Sequence, residues 1–331
     1  MRESTTNEKA TAMRNKDAKA NEMKSDVAEG GGAMLITVAA DANDKADFHR
    51  LQDAVDAIPA ACKETVTIRI KPGVYEEKVT IPAGAPPILL LGDDREGTIL
   101  SWSDNAHTLG ADGEPLGTFR TGTLNVFAHA FTAENVTIRN ASGPGTGQAV
   151  AAFVDGDRAV FRRVKLLGDQ DTLYTGKGKQ FYHECYIEGD VDYIFGAATA
   201  VFDRCHLHNK RSRGYITAAS TPQEAAFGYV FLDCEITGGE GVTDVYLGRP
   251  WRPFASVAFI RTSMDASITG EGWHNWGQPD RESTSRYEEY GSTGPGANAD
   301  ARAVWSRELS AEEAKDYRVI HIFDGWHPEG Y

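Results

Sequence analysis

Between Gly168 and Gly196, Gln170-Asp171-Thr172-Leu173-Tyr174 is followed by Asp192-Tyr193-Ile194-Phe195-Gly196, so that one aspartate answers another after 21 residues. On either side an aromatic residue leads to two alternating apolar positions. Phe131 leads to Val136 and Ile138, Phe161 to Val164 and Leu166, Phe181 to Cys185 and Ile187, Phe202 to Cys205 and Leu207, Phe231 to Cys234 and Ile236, and Phe259 to Thr262 and Met264. These read as equivalent strands. A period of roughly 20–30 residues built on one short strand is the signature of a solenoid, in which each coil buries its apolar face against the next. An all-β parallel β-helix fits best.

Leu166 and Ile187 each precede an aspartate by five residues, which puts Asp171 and Asp192 at the same phase of successive coils. Stacked at the usual strand spacing of about 4.8 Å, the two carboxyls would lie side by side. Two negative charges so placed repel, and one pKa is driven up unless a cation intervenes. Paired aspartates near strand ends also serve as turn formers that bond their own backbone, so spacing alone leaves both readings open.

Working outward, the 331 residues are 41% apolar and 25% charged, an ordinary globular balance. The net charge of −14, with no basic run or stripe, excludes nucleic acid as the expected partner. Residues 1–33 are rich in Lys, Glu, Asn, Asp and Ala without apolar periodicity, and read as a disordered or loosely helical tail; a single catalytic domain is expected over 34–331. No stretch is long and apolar enough to span a bilayer. Without the apolar core of a secretory leader the tail favours a cytoplasmic location, or an extracellular one if a leader is missing.

Asp47 is placed to cap a helix carrying Phe48, Leu51, Val55 and Ile58, which would close the open end of the first coil. Residues 272–297 read as a long irregular arm, and Ser310 as the start of a short helix over 311–317. Cys185, Cys205 and Cys234 hold one phase of successive coils and read as an inward ladder of small apolar side chains, although Cys185 and Cys205 are close enough in that scheme to form a disulfide. No Cys-x-x-Cys occurs, and His206 and His208 are expected to face solvent, so no metal site is expected.

Five motifs in series then carry a resemblance: Gly73-Val74-Tyr75-x-Glu77, Gln148-Ala149-Val150-Ala151, Gln170 to Tyr174, Asp192 to Gly196, and Leu247-Gly248-Arg249-Pro250-Trp251. In order and interval the chain resembles the pectin methylesterase (pectinesterase) family from about Leu35 to its C-terminal segment. The resemblance implies a right-handed parallel β-helix, in line with the general hand of parallel crossovers. It also implies hydrolysis of galacturonate methyl esters in pectin or its oligomers, without metal or cofactor; a monomer that does not engage a membrane is expected.

Carried over residue by residue, the resemblance makes Asp192 the nucleophile and Asp171 the general acid and then base. Elementary electrostatics agrees. Arg249, set in a Gly-Arg-Pro-Trp turn, would hold Asp192 ionised and oriented, while Asp171, lacking that partner, keeps its proton. Gln148 and Gln170 are neutral donors suited to a tetrahedral oxyanion. Trp251, Tyr174, Phe195, Trp273 and Trp276 are the candidate sugar platforms, with core packing as the competing reading for each. Tyr75 and Glu77 are assigned a structural role near the first coils. Two rivals remain: a β-helix glycosidase using the paired acids on polygalacturonate, and a binding module or relative acting on other acyl esters such as thioesters.

Overall fold

In the computed structural model, which describes residues 34–328, the chain winds into a right-handed parallel β-helix whose coils contribute strands to three parallel sheets of eleven, eight and seven strands. The expected tail lies outside the described residues. Each coil thus carries up to three short strands, where the sequence periodicity suggested one.

What turns the chain at the first corner is a single residue with left-handed backbone. Asn135, Arg163, Glu184, Arg204, Asp233 and Arg261, one in each of six coils, have φ between 50° and 54°. Side chains other than glycine adopt this conformation at a cost. The cost is offset because each corner N–H donates to a carbonyl of the following coil, as Glu184 does to Asp203 and Arg204 to Leu232, at 3.0 and 2.9 Å.

Inside the first sheet an aromatic ladder runs along the axis. Phe161, Tyr182, Phe202, Phe231 and Phe259 are in register, with successive ring centroids 5.0, 4.7, 4.5 and 4.3 Å apart and nearly parallel planes. The rung between Phe161 and Phe202 is therefore Tyr182, not Phe181. Phe181 points outward, and Phe131 sits two positions earlier on the rail, opposite Ala159 by register. Two adjacent aromatics left the phase ambiguous by one residue, and in a strand one residue reverses the face.

Just past the corner, Cys185, Cys205 and Cys234 form the expected inward ladder as buried free thiols, each directed at a carbonyl of the preceding coil at 3.2–3.4 Å. His206 and His208 are half-buried on the outer face of the second sheet, where both rings bond the Thr237 hydroxyl rather than facing solvent freely.

The first coil is closed by helix α1, Leu51–Asp56, which buries Leu51, Ala54 and Val55 against the core. Its cap is not Asp47, whose carboxylate instead accepts from the N–H and hydroxyl of Thr37. Glu77, from the next coil and almost fully buried, accepts from the N–H of Leu51 (2.7 Å) and of Gln52 (3.1 Å). The structural role expected of Glu77 is thus to cap from a distance, which no local pattern encodes. Tyr75 lies beside it, donating to the carbonyl of Lys71 at 2.8 Å.

The expected irregular arm contains a strand, Arg286–Tyr290, paired with Ser256–Ile260 in the first sheet. Its inward residues are Tyr287 and Glu289, and Glu289 is neutralised by Arg302 at 2.7 Å, both side chains being almost fully buried. A charge in the core position hid this strand from apolar periodicity. At the C-terminal end the helix expected over 311–317 shrinks to a 3₁₀ turn, Glu313–Asp316, capped reciprocally by Ser310 and Glu313. A short helix α2, Val319–Ile322, follows, and Ile322, Phe323 and Trp326 cover the outer face of the first sheet over Phe181, Val201 and Val230.

Candidate active site

The third sheet carries the site on its outer face. Strands Leu173–Thr175 and Val191–Gly196 pair with Leu173 opposite Ile194, so Asp171 and Asp192, two residues before each, occupy the same phase of adjacent coils. Both acids adopt left-handed backbone, with φ of 65° and 50°. At Asp192 the register to the next strand slips between Val191 and Ile194, a bulge of the kind that re-aims a side chain beside a site. Arg249 reaches across two coils from Tyr246–Pro250. Gly248 before it admits no side chain, since a Cβ would lie 2.0 Å from the Thr217 hydroxyl.

Arg249 forks onto Asp192, Nε to Oδ1 at 2.8 Å and Nη2 to Oδ2 at 2.7 Å. The guanidinium is itself clamped between two rings, 3.7 Å from the centre of Trp276 and 3.8 Å from that of Tyr215. Trp276 is held with φ of 61°, its main-chain N–H donating to His274 Nδ1 at 3.0 Å. Burial first and the Arg249 charge second disfavour protonation of His274, which leaves that nitrogen free to accept.

Burial pushes both carboxyls above the ordinary aspartate range, but not equally. Asp171 is raised far, by desolvation and then by the charge of Asp192. Asp192 is raised less, because the hydrogen bonds and charge of Arg249 pull it back. One acid left to burial beside one held by a cation is the asymmetry on which acid and nucleophile roles can rest.

A cleft of about 250 Å³ opens over the pair, lined by Gln148, Gln170, Phe119, Phe195, Trp251 and Trp276 among others. Gln148 and Gln170 are half-buried; their main-chain carbonyls serve the coil, accepting from Ala106 at 2.8 Å and from Ala149 at 3.0 Å. Phe153, Tyr174 and Phe195 form a second aromatic row on this outer face, centroids 4.5 and 5.0 Å apart, with Trp251 at 5.9 Å from Phe195. Trp273, expected as a platform, is fully buried in the core, and its indole N–H donates to Glu289. Sequence reasoning missed Phe119, which lies in a 3₁₀ turn without periodicity, and Tyr215, which the longer next coil places opposite Val191, so that a 21-residue count from Asp192 falls on Arg213 instead. Among the described residues no group of three or more His, Cys, Asp or Glu side chains is placed to hold a metal ion.

The model of the Pectinesterase family matches residues 35–325, nearly all of the described chain. The chain belongs to the pectinesterase family. It is 43% identical to Pectinesterase 31 of Arabidopsis thaliana over 84% of this chain and 88% of that one. Among solved structures it resembles a pectin methylesterase from carrot, with a TM-score of 0.82, 32% identity and coverage of 90% and 95% of the two chains. A pectin methylesterase in complex with a hexasaccharide gives a TM-score of 0.79 at 30% identity, covering 90% of this chain and 99% of that one. Membership of the pectinesterase family overturns the expected cytoplasmic location. The plant relatives are pectinesterases, whose substrate lies in the cell wall, and an extracellular place of action is indicated.

Proposed function

We propose that this pectinesterase removes methyl groups from methyl-esterified galacturonate in pectin through an acyl-enzyme formed on Asp192. The observation that carries the mechanism is the unequal treatment of two stacked acids, one forked by Arg249 and the other only desolvated.

Ionised Asp192 attacks the ester carbonyl carbon, and the carbonyl electrons move to oxygen. Gln148 and Gln170, on the cleft wall, supply neutral amide donors to that oxyanion; a cation there would compete with Arg249 for the nucleophile. As the tetrahedral centre collapses, the bond to methoxide breaks and Asp171 gives it a proton, releasing methanol. An anhydride between Asp192 and the galacturonate remains. Asp171, now a carboxylate, takes a proton from water; the hydroxide attacks the substrate carbonyl, and Asp192 leaves as carboxylate, restoring both acids.

The aromatic row of Phe153, Tyr174 and Phe195, with Trp251, offers faces for the sugar chain. No helix among the described residues is long and apolar enough to cross a membrane. A glycosidase develops no acyl oxyanion, so paired glutamine amides favour the ester reading. Methanol release from highly methylated pectin, assayed beside new reducing ends, tests it: methanol alone supports the esterase, and reducing ends without methanol would sink it.

A further inference from the structure

Two residues before each acid of the site stands another aspartate, Asp169 before Asp171 and Asp190 before Asp192, and this second pair is also buried, 7% and 4% exposed. The coil register that stacks the first pair stacks the second. The N–H of Asp190 donates to the carbonyl of Asp169, and that of Asp171 to the carbonyl of Val191, both at 3.0 Å. Lys210 closes the cluster from the following coil. Its Nζ lies 2.6 Å from Asp169 Oδ1 and 3.4 Å from Glu188 Oε1, and donates to the carbonyl of Gly168 at 2.8 Å. Arg211, largely exposed, comes only to 4.0 Å from Asp190 Oδ2, and Asp190 Oδ1 has no hydrogen-bond partner among the described residues. A carboxylate oxygen buried without a donor is destabilising, and many residues would suit a coil turn equally well.

We propose that Asp190, stacked on the Asp169 that Lys210 anchors, is a positioning residue for the reaction, fixing the turns at 168–171 and 189–192 against each other. The proposal rests on the reading of Asp171 and Asp192 given above. Asp190 touches no reacting atom; it acts through geometry and charge. Facing it are Asp169, Lys210 and Arg211 on one side and Asp171 and Asp192 on the other, with Arg249 beyond Asp192 and Glu188 beside Lys210. The negative charge of Asp190 helps keep the proton on Asp171, and Lys210 opposes it.

The test is the pH dependence of kcat/KM for methanol release by Asp190→Asn and Lys210→Met, measured beside Asp171→Asn and Asp192→Asn. Loss of protonated Asp171 sets the alkaline limb. Asp190→Asn should move that limb to lower pH, and Lys210→Met should move it to higher pH. Lys210→Met should also lower kcat roughly tenfold with KM little changed, as its turn loses an anchor. Lys210→Arg should restore the limb. Should Asp190→Asn fail to fold, the lysine pair decides alone. Altered Tm with unmoved limbs would overturn the brace. Activity surviving in Asp171→Asn or Asp192→Asn would instead overturn the reading of the site.

Discussion

Two ladders run along this solenoid. Inside the first sheet, Phe161, Tyr182, Phe202, Phe231 and Phe259 stack ring upon ring; on the outer face of the third, Asp171 stacks upon Asp192. The coil repeat is the same in both places, yet its energetic sign is opposite. Stacked rings gain roughly 0.5–1.5 kcal/mol per pair beyond their burial, whereas stacked carboxyls desolvate and repel each other. A fold that repeats itself to be stable has no geometric freedom to separate the acids, and so imposes on one of them the proton it needs for chemistry.

The comparison can be broken most sharply at Asp192. Asp192→Asn should cut turnover by at least about ten-thousand-fold while the protein stays folded and binds methylated pectin; near-normal turnover would end the nucleophile assignment. On the apolar side, Phe202→Ala removes one rung and should destabilise the fold by roughly 4 kcal/mol. Denaturant melts would read that loss, and the kcat of the folded fraction should hardly change.

Gln148→Ala belongs to the chemical side and should lower kcat about a hundredfold without changing the melt. The smallest effect sharpens the contrast. Because burial raises the folded pKa of Asp171 above its unfolded value, the stability linked to its proton is fully present below the unfolded pKa and lost as pH rises through the folded one. Asp171→Asn, inactive, should therefore melt roughly 2 °C higher than the parent above the parent's alkaline limb and show no such gain in acid. An equal difference at both pH values would show that the charge of Asp171 is not what costs stability.

Much of this was legible because a solenoid writes its contacts into spacing. The 21-residue offset of the two acids is the coil register itself, later seen as Leu173 opposite Ile194. The partners Gln148 and Arg249 became legible only through resemblance, since three-dimensional convergence across coils of unequal length leaves no local trace. Where apolar periodicity was the sole guide it failed at substitutions: Glu289 with Arg302 in place of a greasy rung, Phe181 beside Tyr182, Glu77 capping a helix 26 residues earlier. Trp273 and Trp276 differ by three residues, and one is core while the other lies on Arg249. Nothing in composition separates them.

That last adjacency bears on how the protein is made. Both acids are synthesised 57 residues or more ahead of Arg249, whose upper ring, Trp276, comes later still, on an arm locked by Glu289 to Arg302. On a ribosome working from the N-terminus the coils can wind as they emerge, but the guanidinium acquires its seat only once the segment through Arg302 has left the tunnel. Activity is thus a late event in biosynthesis, and a nascent or C-terminally clipped chain should hold its substrate groove without yet being able to use it.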